Sequence, residues 1–420
     1  MPRFPPRRLL TAGRPYPGGG RVLTNAGVWS PCGEWLVYDT RGDPAGTHFD
    51  GARVKRVHAR TGRVETLYTA RNGANCGVAT YDPVTGGVLF ILGPESPDTA
   101  WSYGPARRQG VAVTGGVVAN LDARDLTLPF TPGALRGGSH VHLTHPAGRL
   151  VSFTYDDHVL SELPAGTPGA DVNQRNVAVA DWGRAVAVPR THPRNHGGGA
   201  FSVVVTRTVN APTPGSEEIS RATEEAWVGT SRTLAFQGEV VTSDGATIAE
   251  AFAVDLPDDL TAPGDGPLEG TLARRPAPPR GTVQRRLTDT TGHRYPGLSG
   301  PRHWLRSDAA GRRVGVLKRE DDGVVQFWTV TPVGTDFRQV TRSLMPVASA
   351  FTWHPDGERV AFVIGDCVCL TDVATRAVTR LTPLLPGVRP EACVVSPTGQ
   401  WVAFVQTING VNQIGVVGTG

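Results

Sequence analysis

The stretch FTWHPDGERVAFV, residues 351–363, joins one apolar run to a second through a Pro-x-Gly turn, the pattern of two short antiparallel strands. It recurs as VWSPCGEWLVY at 28–38, HLTHPAGRLVSFT at 142–154 and CVVSPTGQWVAFV at 393–405, with looser copies at 78–91 and 305–317. Self-similarity at a period of about 40–50 residues, rich in β-branched and aromatic residues, predicts a β-propeller of four-stranded blades. The fold class is all-β, and a closed ring takes up the chain of 420 residues as one unit.

Inner-strand copies begin near residues 28, 78, 142, 305, 351 and 393, leaving a wide gap after the third. VAVPRTHPRNHGGGAFSVVV at 186–205 fills the gap as a seventh copy, with AEAFAVDL (249–256) and TVQRRL (282–287) as its outer strands. The expectation is seven blades, with eight as the alternative. Outer strands end in an apolar residue and a threonine, at Thr69, Thr288, Thr341 and Thr382. The last copy is followed by one further strand, NQIGVVG at 412–418, so the final blade lacks its outer strand. RVLT, Arg21 to Thr24, has the required ending and is expected to close the ring from the N-terminal side. Residues 1–20 then form a flexible lead and 21–420 a single domain. Insertions are expected near 93–108, 210–227 and 257–281, the second as a solvated helix in which Glu217, Glu218, Arg221, Glu224 and Glu225 pair at i, i+4.

Composition narrows the function classes. With 39% hydrophobic residues, 52 Gly and 35 Pro, no segment approaches the roughly 18 uninterrupted apolar residues of a membrane span. The basic N-terminus has no apolar core of a secretory signal, which predicts a cytoplasmic protein. Five scattered cysteines read as reduced thiols. The net charge of +4 is carried by dispersed arginines with only Lys55 and Lys318 as lysines, which argues against a nucleic-acid partner. LRGGSH at 135–140 lacks the Lys-Ser/Thr of a phosphate loop, so no nucleotide cofactor is expected.

Aligned on the turn glycines, the blades place Asn25, His140, His303, Ser349 and Glu391 at one level, a polar ring at one mouth of the channel. Period two puts His140 and His142 on one side of their strand. With His303 and Glu391 they make a candidate site for a divalent metal, Mn, Zn or Fe. The strand after His142 runs back beside it and ends at Asp156, Asp157 and His158, which brings His158 toward His140. His192, with His196, is a second candidate at the mouth. The long loop 93–108 offers Glu95, Trp101, Tyr103, Arg107 and Arg108 for a sugar or an anion, and Arg136 joins them as a substrate-binding candidate.

NLDARDLTLPFTPGALRGGSHVH (120–142), VSFTYDDHV (151–159), PGSEEISRATEEAWVG (214–229) and RHW (302–304) resemble the YidR-like bacterial proteins along nearly the whole chain. More distantly, the repeats resemble the TolB-type propeller, and the site resembles that of the oligogalacturonate lyases, seven-bladed propellers with manganese in the channel mouth. His140 and His142 match the His-x-His of the lyases' Gln-x-x-His-x-His motif, and His303 matches their lone histidine from a neighbouring blade. Gly137 stands where the Gln belongs, a departure from the pattern. The resemblance implies manganese as the preferred ion and β-elimination on a uronate-containing sugar, with His158, His192 or an arginine as base. The other expectation is a non-catalytic platform for a protein or glycan, with loops 93–108 and 210–227 carrying recognition.

Overall fold

In a computed structural model that describes residues 4–11, 19–24, 26–388 and 393–420, the chain is a seven-bladed β-propeller. The described residues form seven antiparallel sheets, six of four strands and one of three. The third blade runs outward through Gly137–Thr144, Leu150–Asp157, Asn176–Val186 and Gly198–Val204, and the fourth through Ile219–Trp227, Thr233–Val241, Thr247–Asp255 and Val283–Arg286. Second strands such as Leu150–Asp157 are buried along their whole length, because each blade is sandwiched between two others. That is why the repeats read as continuous apolar runs. Among the described residues no helix is long and apolar enough to cross a membrane, and all five cysteines are free.

Three of the four threonine endings, with Thr206 beside them, have a common physical role, whereas Thr69 stays in its strand ladder opposite Arg53. After the outer strand turns away, the Thr side chain accepts a hydrogen bond from a backbone N–H of the third strand. Thr206 serves Val177 (3.0 Å), Thr288 serves Ala251 (2.9 Å), Thr341 serves Phe327 (2.8 Å) and Thr382 serves Val368 (3.0 Å). In the last blade the acceptor is Thr11, at 3.0 Å from the Ile414 nitrogen. The ring is closed by an N-terminal strand as expected, but that strand is Arg7–Leu9, paired antiparallel to Val411–Gly418. RRLLT and RVLT carry the same ending; Arg21–Val22 is instead the inner strand of the first blade, paired with Trp35–Thr40. The flexible lead expected over 1–20 is corrected over residues 4–11, which include this closing strand; residues 1–3 and 12–18 lie outside the described residues.

Two further expectations are corrected. The inner strand of the fourth blade is Ile219–Trp227, the segment read as a solvated helix, and 186–205 contributes Gly198–Val204 as the outer strand of the third blade. AWVGTSRTLAF at 226–236 is the missing repeat copy without its proline, with Trp227 in the place of Trp29. The indole N–H groups of Trp29, Trp227 and Trp353 each donate, at 2.9 Å, to an inner-strand carbonyl of the preceding blade: Val394, Leu143 and Arg306. The turn histidines bridge to the following blade. His145 bonds the Ser231 carbonyl (3.1 Å) and His354 the Gly399 carbonyl (3.0 Å), while each accepts a backbone N–H of its own turn.

Candidate functional site

The inner strands of the first four blades share a kink. Gly27, Val78, Val141 and Glu224 all lie at φ between 57° and 59°, and the last three sit at register shifts in their strands. A β-branched residue at positive φ is strained by roughly 1–3 kcal/mol and persists only where its surroundings hold it. At Val78 the Asp39 carboxylate does so, accepting its N–H at 2.9 Å.

This kink undoes the geometry expected of His140 and His142. Ser139 and His140 alternate across the strand, and the His142 Nε2 lies 3.0 Å from the Ser139 hydroxyl, so the bulge has turned His142 to the face opposite His140. His142 is fully buried between the second and third blades, against Gly110 and Phe153, and burial pushes its pKa down to about 3. His303 is likewise spent on the fold: Nδ1 bonds the Pro301 carbonyl at 2.8 Å and Nε2 accepts the Leu317 N–H at 3.2 Å. Burial holds it neutral, with a pKa of about 4. Glu391, like Asn25, lies outside the described residues. Among the described residues no three His, Cys, Asp or Glu side chains gather closely enough to hold a metal ion. The donor set predicted for manganese, zinc or iron therefore does not assemble from His140, His142 and His303.

His140 has different company. It lies partly exposed at the channel mouth, its Nδ1 buried with no hydrogen-bond partner among the described residues. Desolvation, then the positive fields of Arg108, Arg302 and Arg175, hold its pKa well below the usual imidazole value. These arginines come from three places: the start of the third strand of the second blade, the start of the inner strand of the fifth, and the segment leading into Asn176–Val186. Arg302 donates to Glu224 at 2.8 Å and Arg175 pairs with Asp156 at 3.3 Å. Arg108 donates through Nε to the Tyr103 hydroxyl at 3.0 Å, and its buried Nη1 has no hydrogen-bond partner. Glu225, fully buried, accepts from Thr154 at 3.0 Å through one carboxylate oxygen while the other has no partner. Burial pushes this carboxyl up to about 8, with the neighbouring Glu224 adding to the shift. Unpartnered buried polar atoms are costly, and His140 Nδ1, Arg108 Nη1 and Glu225 Oε1 are three of them among the described residues.

A second cluster adjoins it. Trp101 is buried with the His158 ring edge-on at 4.6 Å, His192 at 6.2 Å, and the guanidinium groups of Arg107, Arg124 and Arg194 at 5.1–5.7 Å from its ring. His158 and His192 are thus brought together, around an indole, though His192 comes from the loop between the third and fourth strands of its blade rather than from an inner strand. Burial lowers both pKa values, His158 to about 4. His192 also caps its own turn, accepting the Arg194 N–H at 3.1 Å. Arg107 pairs with Glu162 at 3.2 Å, and Tyr103 stacks on Phe49 at 4.9 Å. Glu95 is exposed, accepts from Asn72, and lends its backbone carbonyl to Arg194.

Arg136 is the one substrate-binding candidate that the structure removes from the mouth. Its side chain is 1% exposed, pairs with Asp157 at 2.7 Å, and donates to the backbone carbonyls of Thr271 and Arg274. It clamps the 257–281 insertion to the third blade. At the opposite mouth, the ends of all seven inner strands enclose an apolar cavity of about 370 Å³ lined by Trp29, Tyr81, Leu143, Trp227 and Trp353. Its indole N–H groups are already used between blades, so it offers few groups to orient a polar substrate.

The residues missed by sequence reasoning are Arg175, Arg302, Glu224 and Glu225, while Arg108 belongs to the 93–108 loop read for a sugar or an anion. The available signal was Trp227-Val228-Gly229: read as a repeat copy, it makes 219–227 an inner strand and sends its glutamates to the channel mouth.

A family described as a protein of unknown function, DUF3748, matches residues 75–196. An Escherichia coli (strain K12) relative, uncharacterized protein YidR, is 45% identical over 390 residues, 92% of each chain. Among solved structures, an oligogalacturonate lyase in complex with manganese is similar with a TM-score of 0.60 at 11% identity, covering 98% of this chain and 92% of that one. The oligogalacturonate lyase of Vibrio parahaemolyticus gives 0.61 at 9% identity, covering 99% and 93%. At such identities the likeness concerns the fold.

Proposed function

Proceeding from the premise that this chain belongs to the YidR family, we propose that it binds a uronate-bearing sugar at the His140 mouth and cleaves it by β-elimination. The observation that carries the reading is His140 at the start of its inner strand, held neutral by burial and by the positive fields of Arg108, Arg302 and Arg175. Guanidinium groups recognise carboxylates through paired donors, and in a partly buried mouth they neutralise the charge that develops when the carbon next to a carboxylate loses its proton. His140 takes that proton; the C–H electron pair becomes a C=C bond, and the bond to the glycosidic oxygen breaks. The leaving oxygen takes a proton from water, and His140 returns its proton to solvent. The arginines take the charge-neutralising part that a metal would otherwise play. His158 and His192, beside Trp101, Tyr103 and Arg107, extend the surface along which further sugar units lie.

The lyase activity of its structural neighbours supports the reading, and its test is direct. Purified protein is mixed with galacturonate oligomers, with and without a strong chelator, and the ultraviolet absorbance of the unsaturated product is followed. Turnover that survives chelation and is lost in His140→Ala supports the reading. Turnover abolished by the chelator restores a metal, and no turnover under either condition leaves a non-catalytic binder of acidic glycans.

A further inference from the structure

We infer that Arg108 is the side chain that takes the sugar's carboxylate, and that Tyr103 is the positioning residue that aims it. The inference rests on the uronate reading above and singles out one of its three arginines. Arg302 and Arg175 each already face an acid, Glu224 at 2.8 Å and Asp156 at 3.3 Å. Among the described residues no acid pairs with Arg108, whose one side-chain hydrogen bond runs from Nε to the Tyr103 hydroxyl at 3.0 Å, and whose Nη1 is buried with no partner. The residue is only 9% exposed, and a guanidinium so far removed from water with a single donor used is costly. A carboxylate lying along the Nη1–Nη2 edge supplies the missing acceptors. The side chain belongs to the His140 mouth: its backbone packs on the inner strand of the third blade, where a Cβ on Gly138 would meet the Arg108 nitrogen at 2.8 Å. Of the charged side chains around His140, Arg108 acts on the imidazole most strongly.

Tyr103 is itself held by two blades. Its ring stacks on Phe49, with centroids 4.9 Å apart and planes 19° from parallel. Phe49 lies in the first blade, in the segment between the strands Trp35–Thr40 and Arg53–His58. That segment is tied down in turn: Asn75 donates to the Phe49 carbonyl at 2.7 Å, and Arg41, paired with Asp39 at 2.6 Å, lies 4.6 Å from the Phe49 ring. Gly93 lets the phenol close in, since a Cβ there would stand 3.2 Å from the Tyr103 ring. With the hydroxyl fixed, the bond from Nε fixes the guanidinium plane, so the Nη edge is ordered before any ligand arrives. A neutral sugar or an ester leaves that edge unsatisfied, which makes the same geometry a device for rejecting both.

The test is titration calorimetry of trigalacturonate against wild type, Arg108→Gln, Tyr103→Phe and Arg175→Gln. Arg108→Gln should weaken binding about a hundredfold, and Tyr103→Phe, which keeps the stack on Phe49 and removes only the hydroxyl, about five- to tenfold. Arg175→Gln should lose less than Arg108→Gln. In turnover, Tyr103→Phe should raise KM by the same factor and leave kcat within a factor of about two, a split that a merely structural loss would not produce. Should Arg108→Gln fail to fold, Tyr103→Phe reads the same link. Tyr103→Phe binding as wild type does, or Arg175→Gln losing as much as Arg108→Gln, overturns the assignment. Sulfate separates it from the lyase reading: compared with chloride at equal ionic strength, sulfate should raise the unfolding midpoint of wild type by more than that of Arg108→Gln. That difference in a protein that neither binds nor cleaves trigalacturonate would overturn the uronate reading alone, and cleavage unmoved by both Arg108→Gln and Tyr103→Phe would overturn the role of Arg108 alone.

Discussion

Removing the Arg136 guanidinium should cost this protein a large share of its stability. Arg136→Met keeps the side-chain volume but strips the bond to Asp157 at 2.7 Å and those to the Thr271 and Arg274 carbonyls. Asp157 stays buried, with the Tyr155 hydroxyl at 3.1 Å and the Leu160 N–H at 2.9 Å as its remaining donors, and burial already raises its pKa. Breaking a buried pair from one side costs about 3–5 kcal/mol. For 420 residues the unfolding entropy is about 0.9 kcal/mol per degree, so the midpoint should fall by about 3–6 °C. Calorimetry measures the shift, and trypsin measures a second consequence, faster cleavage after Arg274 as the insertion loosens. Adding Asp157→Asn to Arg136→Met should recover at least about 1 kcal/mol, since the orphaned charge is then gone. A single-variant loss below about 1 kcal/mol, or no recovery in the double variant, would refute the clamp.

Thr11→Val should cost about 1–3 kcal/mol by leaving the Ile414 N–H unsatisfied, whereas Thr24→Val, whose hydroxyl has no partner among the described residues, should cost less than half as much; chemical denaturation of both variants decides which threonine closes the ring. Glu225 gives a signed pH dependence: its folded pKa is raised to about 8, so the stability it contributes is full below about 4.5 and is lost as pH rises through 8. Wild type should therefore lose about 1.4 kcal/mol per pH unit relative to Glu225→Gln between pH 5 and 8, read from denaturation at each pH, and parallel curves would contradict the burial argument.

The architecture was legible because turn chemistry and apolar runs repeat in every blade, and because Thr288, Thr341 and Thr382 mark blade ends through a hydrogen bond that only a side chain at that point can make. Two placements were ambiguous for the same reason, since a local signal occurred twice: RLLT and RVLT share an ending, and THPRNHGGG resembles a turn that AWVGTSR in fact supplies without proline. The histidine site failed on backbone geometry. His-x-His implies one face only while period two holds, and Val141 at φ 58° breaks it, a conformation that sequence gives no reason to expect of a valine. His303 was right in level but wrong in role, because its two backbone partners come from chain neighbours and a facing strand that only the folded blade supplies. The arginines around His140 are far apart in sequence; Arg108 ends the 93–108 loop and Arg302 stands in RHW, but nothing local ties either of them, or Arg175, to His140.

The central claim is that His140 and its arginines read a carboxylate. It is tested most directly by titration calorimetry of trigalacturonate, its methyl ester and neutral galactotriose against wild type and Arg302→Gln in the presence of a chelator. The account predicts that wild type binds the acid alone, that the affinity falls as salt rises, and that Arg302→Gln weakens it about tenfold or more. Equal binding of all three sugars, or acid binding that vanishes on chelation, would contradict it.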